Sequence, residues 1–148
     1  MEINIAHKVR LFPQPTDTSC WSAAATMLYG DRSVGPGPAA TEDGGLVNTH
    51  SNLHSFASAH GLKMHAPQSW TVEGITEFLR RGPVWVGGMV PSGHAYVIGA
   101  IQGDGTDEKT YITIYDPWPP RFGAVRIESY GNWMRSFPMA TMYILQRF

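Results

Sequence analysis

A single cysteine at the start of a predicted helix is the first residue of this sequence that could do chemistry. Cys20 is the only cysteine among 148 residues, and it opens the segment CWSAAATMLY, which Gly30 ends. Ser19 or Thr18 can cap this helix. The unpaired N–H groups and the dipole of a helix N-terminus favour an anion, so this position favours a thiolate. The placement predicts a nucleophile, although a lone cysteine can equally be a small buried apolar residue.

A glutamine six residues before the cysteine could complete an oxyanion site. The turn within FPQPTDTSCW can fold the Gln14 side chain back beside the helix start, where its amide and the Cys20 backbone N–H would both face a developing oxyanion. A glutamine alone indicates nothing. The combination of Gln, five residues and Cys-Trp at a helix start is far rarer, and it favours a site.

A histidine and an aspartate in the C-terminal part of the chain could supply a base and its orienting carboxylate. Of six histidines, His94 alone begins a predicted strand, SGHAYVIGAI, and Asp116 ends the next one, YITIYD. If the two strands form a hairpin centred on Gly105, Ile98 faces Ile112 and His94 faces Asp116 directly. The carboxylate would then accept the Nδ1–H of the imidazole and leave Nε2 for the thiol. A shift of one residue would place the two side chains on opposite faces.

These residues together resemble the papain-like cysteine peptidases, whose signature is the same Gln spacing followed by Cys-Trp. The segment TSCWSAAATML is most similar to small bacterial AvrRpt2-like peptidases, and it also resembles C39-type bacteriocin-processing peptidases. SGHAYVIGA and IYDPW are similar to strand motifs in which Gly-His opens one strand and Asn or Asp ends the next. The resemblance implies Cys20 as nucleophile and Gln14 as oxyanion-hole residue. It also implies His94 and Asp116 as the other members of a catalytic triad.

Two tryptophans beside these residues are candidate substrate-binding residues. In papain-type enzymes the orienting Asn is followed by Ser-Trp, and here Asp116 is followed by Pro-Trp, so Trp118 would shield the His94–Asp116 bond from water. Ordinary edge packing is the alternative for Trp118. Trp21 is the second candidate, with core packing as its simpler role. The catalytic candidates lie closer together in sequence than those of papain, which implies that its large substrate-binding loops are missing.

Two other patterns predict less. His50 and His54 stand four residues apart on a predicted helix, and His60 and His65 follow, but there is no HExxH motif and no evident acidic third ligand. A solvated polar face is the simpler interpretation, and no metal or other cofactor is expected. The stretches GPGPAATEDGG and QGDGTDE lack the context and the lysine of a phosphate loop, so turns are predicted there.

Composition limits the partners and the compartment. Eleven basic and twelve acidic side chains give a formal net charge of −1, and no basic run is present, so nucleic acid is not expected as a partner. A single cysteine cannot form an internal disulfide, so the fold is compatible with a reducing cytosol. No apolar run approaches the roughly 18 residues that span a bilayer, and MEINIAHKVRLF does not read as a secretory signal. A soluble protein is expected.

The elements that must position these residues form a helical half followed by a strand half. Helices are predicted over Cys20–Tyr29, from a cap at Asn48 or Thr49 to Gly61, and from a cap at Thr71 to Gly82, with a loop over Asp31–Val47. Five short strands are predicted after them: Val84–Val90, His94–Ile101, Thr110–Tyr115, Ala124–Ile127 and Met139–Gln146. The connections are too short for helical crossovers, which favours an antiparallel sheet.

The combined prediction is an α+β, papain-like fold with one peptidase domain over residues 1–148. A helical half of about 1–82 would pack on an antiparallel sheet or half-barrel of about 83–148, with the active-site cleft between them. The expected function is a cysteine protease that cleaves peptide or amide bonds through a Cys-His-Asp triad and a Gln oxyanion hole.

The resemblance also implies a biological setting. It suggests a bacterial effector or toxin domain, excised from a longer chain and delivered by a specialised system without a classical signal peptide. A protein or peptide would be its substrate, and a cognate inhibitor or immunity protein its further partner. The alternatives are other thiol acyl chemistry, such as a peptidoglycan amidase, deamidase or transamidase, and a non-catalytic peptidase-fold binding module. The presence of all four site residues argues against the module.

Overall fold

The chain folds as an α+β structure in which helices pack on both faces of one antiparallel sheet. The computed structural model describes residues 2–15, 19–30, 50–65, 70–88, 94–136 and 142–147. Within these ranges the helices are α1 (Cys20–Tyr29), α2 (His50–Ala59), α3 (Val72–Arg81) and α4 (Tyr130–Ser136). The strands are β1 (Ile3–Ala6), β2 (Leu62–His65), β3 (Val84–Gly88), β4 (His94–Gly103), β5 (Thr110–Asp116), β6 (Ala124–Ser129) and β7 (Met142–Arg147).

The predicted helices and strands are confirmed where the structure describes them. Thr71 caps α3 by accepting a hydrogen bond from the Gly74 N–H at 3.0 Å. Gly30 ends α1 with a φ of 74°, a left-handed conformation that glycine adopts without steric cost. Several predicted features lie outside the described residues: the caps Thr18, Asn48 and Thr49, the loop Asp31–Val47, the stretch GPGPAATEDGG, and the outer ends of the first and last predicted strands.

The division into a helical and a strand half is incomplete, because three elements were not predicted. β1 and β2 lie in the first half of the chain, and α4 lies among the strands of the second. β1 and β2 have four residues each, too few to show a clear apolar period. α4 has seven residues and includes a glycine, so its helical propensity is weak.

The sheet is built around β4. The strand order is β2-β7-β3-β4-β5-β6, and β1 pairs with β4 outside this path. β3 pairs with the first half of β4 and β1 with the second half, while β5 lies along the opposite edge. All of these pairings are antiparallel, as predicted. Among the helices of the described ranges, none is long and apolar enough to cross a membrane.

Two apolar clusters occupy the two faces of the sheet. Along β3, Val84 and Val86 join a cluster with α3 and α4, and Trp85 joins a cluster with α1 and α2. Because both faces are covered, β4 is almost continuously buried rather than alternating. β5 and β6 extend past this cover, and Tyr111 and Ile127 are exposed there.

The predicted register between β4 and β5 is wrong by two residues at the end that carries His94 and Asp116, and by three residues on the turn side. Ile98 pairs with Ile114 and not with Ile112. Since side chains alternate with a period of two, this shift keeps His94 and Asp116 on the same face but makes them diagonal neighbours. Diagonal side chains remain close enough for a long or aromatic group to bridge.

A β-bulge at Gly99 determines that His94 and Asp116 share a face. On the turn side of the bulge Ile101 pairs with Ile112, and the register shifts by one residue between Ile98 and Ala100. If the register of the turn side continued to the end of the hairpin without a bulge, His94 and Asp116 would lie on opposite faces of the sheet. A Cβ at Gly99 would lie 2.7 Å from the Tyr115 ring, so only glycine fits the bulge as it stands.

Candidate active site

Cys20 is the first residue of α1, and it is partly exposed. Ser19 occupies the N-cap position, without a side-chain capping bond, and its carbonyl accepts the Ala23 N–H at 3.1 Å. The Cys20 side chain is therefore attached at the positive end of the dipole of a ten-residue helix, as the sequence predicts. At this position the unpaired backbone N–H groups of the first helical turn lie next to the side chain.

Trp85 of β3 attaches the start of α1 to the sheet. Its indole Nε1 donates a hydrogen bond to the Trp21 carbonyl oxygen at 3.1 Å. The indole lies over Gly87, where an added Cβ would be 2.4 Å from the ring carbon Cη2. The missing side chain at Gly87 thus leaves room for the contact that sets the position of Cys20 relative to β4.

His94 and Asp116 are in direct contact. The His94 Nε2 lies 2.7 Å from Asp116 Oδ1, and interaction of the same ring with the Cys20 side chain contributes to its raised pKa. The predicted use of the two nitrogens is reversed: Nε2–H donates to the carboxylate, which leaves Nδ1 for the sulfur. The sequence could not determine this, because the choice depends on the rotamer of the ring.

The Asp116 carboxylate is almost fully buried and receives three hydrogen bonds. Besides His94, the Trp118 backbone N–H donates to Oδ1 at 3.0 Å, and Arg126 Nη1 donates to Oδ2 at 2.7 Å. Arg126 was not predicted as a site residue, because an arginine on a short alternating strand reads as a surface charge. Its signal is visible only after the register of β6 is known.

Electrostatics hold His94 and Asp116 as an ion pair. Burial alone would lower the pKa of His94, but hydrogen bonds to Asp116 and Cys20 outweigh it and raise the pKa to about 9. Burial would raise the pKa of Asp116, but the hydrogen bonds from His94 and Arg126 outweigh it and keep that pKa below the usual 3.8. An imidazolium and a carboxylate therefore coexist across the neutral range.

Gln14 is brought to the same end of the molecule by its backbone. Its N–H donates to the Pro117 carbonyl at 3.0 Å, and its own carbonyl accepts the Arg121 N–H at 2.9 Å. Its side chain is fully buried. The turn that follows Asp116 thus fixes the segment that carries Gln14, so the predicted amide and carboxylate are supported by one stretch of backbone.

The two candidate tryptophans have different environments. Trp21 is 3% exposed and packs edge-on against Phe56, which is the environment of its simpler predicted role, core packing. Trp118 is 47% exposed next to Asp116. Its position suits either substrate contact or edge packing.

The histidines outside the site form no constellation in the described part of the chain. His54 is exposed on α2, and His65 stacks on Phe78 with ring centroids 4.4 Å apart. The side chain of His50 lies outside the described residues. Among the residues described, no three His, Cys, Asp or Glu side chains group so as to hold a metal ion.

The chain belongs to the family described as papain-like cysteine protease AvrRpt2, whose model matches residues 2–135. A comparison with curated protein sequences finds no match.

The solved structures that are similar to this chain include the following two. One is the crystal structure of UfSP from C. elegans, with a TM-score of 0.59, 10% identity, and coverage of 98% of this chain and 33% of that chain. The chain thus spans about a third of UfSP, and at this identity the likeness shows the fold alone. The other is a variant of the Salmonella effector SpvD, with a TM-score of 0.47, 14% identity, and coverage of 99% and 86%.

Proposed function

We propose that this protein hydrolyses peptide bonds, with Cys20 as nucleophile, His94 as general base and acid, and Asp116 as the orienting carboxylate. One observation carries the proposal: His94 contacts the Asp116 carboxylate at 2.7 Å, and interactions with both Asp116 and Cys20 raise the pKa of its ring. A nucleophile, a base and a group that orients the base, arranged in this order, are the parts of a thiol hydrolase. Membership of the AvrRpt2 family supports the same activity.

The first half of the reaction forms an acyl-enzyme. His94 holds the proton of Cys20, and the thiolate attacks the carbonyl carbon of the substrate, so that a C–S bond forms and the carbonyl electrons move to oxygen. The Gln14 amide and the Cys20 backbone N–H stabilise this oxyanion. As the intermediate collapses, the C–N bond breaks and the leaving amine takes the proton from His94.

The second half releases the product. A water molecule gives a proton to His94 and attacks the thioester carbonyl, and collapse of this second intermediate breaks the C–S bond. The carboxylic acid leaves, and the thiolate and imidazolium are restored. Asp116 remains ionised throughout, because its role is to orient and stabilise the imidazolium.

Alkylation of Cys20 tests the proposal. A free cysteine thiol, with a pKa of about 8.5, is almost wholly protonated near pH 6, so iodoacetamide reacts slowly with it there. We expect Cys20 to react on the order of 10²-fold faster than a free thiol at that pH. His94→Ala should abolish the difference, whereas His54→Ala, which removes an exposed imidazole from α2, should leave it unchanged.

The same measurement separates the alternatives. Labelling no faster than a free thiol would contradict the enzyme and favour a non-catalytic binding module. If labelling is fast, a panel of protein substrates beside a zymogram with cell-wall material distinguishes a peptidase from an amidase. Cleavage of cell-wall material alone would replace the peptidase by peptidoglycan chemistry.

The finer biological setting stays a prediction. Delivery as a bacterial effector or toxin, secretion by a specialised system, and an inhibitor or immunity protein as partner rest on the resemblance of the sequence. The single-domain organisation over residues 1–148 is a prediction from the length of the chain.

A further inference from the structure

Arg126, on the edge strand β6, contacts the carboxylate that orients the imidazole. We propose that Arg126 is a positioning residue of the site, which fixes one oxygen of Asp116 so that the other stays aligned with His94. The inference rests on the proposed function, because a peptidase that uses His94 in catalysis requires this alignment.

The strand register places the three residues in one diagonal row. Asp116 pairs with Ala124, and Arg126 pairs with Ile114, so Arg126 is the diagonal neighbour of Asp116 on the same face. His94 is likewise diagonal to Asp116 on β4. Imidazole, carboxylate and guanidinium thus cross three adjacent strands from the interior of the sheet to its edge.

The two carboxylate oxygens have separate partners. Oδ1 accepts from His94 Nε2 at 2.7 Å, and Oδ2 accepts from Arg126 Nη1 at 2.7 Å. The terminal torsion of an aspartate has a broad energy profile, so a carboxylate held on one side can rotate. A charge-assisted bond to Oδ2 fixes the plane of the group, and the direction in which Oδ1 accepts is then fixed as well.

The guanidinium is itself held in place. Its Nε lies 3.7 Å from Glu128 Oε2, and its Cζ lies 5.8 Å from the centroid of the Tyr96 ring. The Tyr96 hydroxyl in turn accepts a hydrogen bond from Trp133 Nε1 at 2.6 Å. An ordinary exposed ion pair has mobile partners and contributes little. Here the arginine is only partly exposed and ends on a carboxylate that is 8% exposed.

Removal of the Arg126 side chain has two opposing effects on the pKa of His94. The direction in which this pKa moves therefore tests the proposal. The charged or titratable groups that act on His94 are Cys20 from α1 and Asp116 from β5. The Tyr96 ring of its own strand lies 6.0 Å away between centroids, and Arg126 of β6 contacts Asp116. Loss of the guanidinium charge alone would raise the pKa of His94. Loss of the aligned Asp116 hydrogen bond would lower it from about 9 toward 6.5, and this bond is the main interaction that raises it.

The experiment compares Arg126→Met with Arg126→Lys. Methionine keeps an apolar stem against Tyr96 but has no donor, whereas lysine keeps one charged donor for Oδ2. NMR titration of the His94 ring and the iodoacetamide rate of Cys20 near pH 6 are the two readouts. For Arg126→Met we expect a lowered pKa of His94 and roughly tenfold to hundredfold slower alkylation. Arg126→Lys should recover most of both.

The control removes a matched arginine elsewhere. Arg80 pairs with Glu77 at 3.1 Å on the exposed side of α3, and Arg80→Met should change neither readout. A pKa of His94 that stays at the wild-type value or rises in Arg126→Met would overturn the proposal. So would an Arg126→Lys variant that loses as much as Arg126→Met at unchanged thermal stability. If Arg126→Met does not fold, Arg126→Lys is compared with wild type, and a pKa of His94 that falls from about 9 to about 6.5 in the lysine variant at unchanged thermal stability would overturn the proposal.

The two proposals can fail separately. Slow alkylation of Cys20 in the wild-type protein would contradict the proposed peptidase activity. The titration of His94 would still report whether Arg126 aligns Asp116, because NMR needs no substrate and no reactive thiol. If the wild-type protein is alkylated fast and Arg126→Met behaves like wild type in both readouts, the proposed peptidase activity stands and the positioning role of Arg126 is contradicted.

Discussion

At the scale of single residues, the geometry of the site depends on Asp116. Its two carboxylate oxygens accept hydrogen bonds from the His94 ring, the Trp118 backbone N–H and the Arg126 guanidinium. Each partner is a donor, so the group is satisfied only while it is ionised and acceptor-only. Asparagine, the neutral isostere, has only one acceptor oxygen. Its NH₂ group would face either the Arg126 guanidinium or the His94 ring, and the hydrogen bond on that side would be lost.

Asp116→Asn should shift the pH dependence of activity. Removing the carboxylate charge lowers the pKa of His94 from about 9, so the imidazolium is lost at a lower pH. We expect the alkaline limb of the pH profile of kcat/KM to move down by about one unit or more. Asp107→Asn, in the exposed turn before β5, is the control and should leave the limb in place. An unmoved limb in Asp116→Asn would contradict an orienting carboxylate.

Residue types and spacing led from the sequence to Cys20, Gln14, His94 and Asp116, because each has a chemical role at a recognisable place. The same reasoning could not find Arg126, whose role depends on the pairing of β6 with β5. It also assigned the two imidazole nitrogens in reverse. A one-dimensional pattern contains residue identities and periods, whereas rotamers and cross-strand diagonals are properties of the folded chain.

At the scale of elements, the position of the thiol depends on how α1 docks on the sheet. Trp85 reaches the first turn of α1 only because its indole can lie flat over Gly87. The distance between Cys20 and the His94 ring therefore depends on a residue that has no side chain. Catalytic distances are sensitive to displacements on the order of 1 Å.

Gly87→Ala should lower both stability and activity. The new Cβ would lie 2.4 Å from the Trp85 ring, which would have to rotate and release the Trp21 carbonyl. We expect a loss of roughly 1–3 kcal/mol in the free energy of unfolding, measured by urea denaturation, and slower alkylation of Cys20. Gly131→Ala, in α4, is the matched control, because its Cβ would meet the nearest atom at an ordinary 3.4 Å. Equal effects of the two substitutions would rule out the docking argument.

Elements with strong local signals could be predicted and weak ones could not. α1 and α3 have an apolar face and a cap or a glycine end, and the main strands have β-branched and aromatic residues between turns. β1 and β2 exist because β4 and β7 offer them an edge, which no window of four residues reveals. The bulge at Gly99 is likewise a tertiary feature, since it reconciles the register set by the turn with that at the site.

At the scale of the whole molecule, the ion pair of the site makes stability depend on pH. The pKa of His94 is raised, so its contribution is fully present below 6.5 and is lost as pH rises through about 9. The pKa of Asp116 is lowered, so its contribution is present above 3.8 and is lost as pH falls through the lower folded value. The pair therefore stabilises the fold most between pH 3.8 and 6.5.

His94→Ala should reveal this window. We expect the difference in the free energy of unfolding between wild type and His94→Ala to be largest near pH 5.5, at about 2–3 kcal/mol, and to shrink as pH approaches 9. Denaturant titrations at several pH values give the difference directly. His54→Ala, measured in parallel, should show a flat difference across the same range. A flat difference for His94→Ala would contradict the raised pKa of the imidazole.

The position of β7 has a consequence for how the molecule is made. β7 contains residues 142–147 and lies between β2 and β3, so the interior of the sheet stays open until these six residues have left the ribosome. Cys20 is translated early, more than a hundred residues before β7, the strand that fills the gap between β2 and β3. We therefore expect nascent chains that lack β7 to carry a Cys20 thiol that reacts no faster with iodoacetamide than a free thiol.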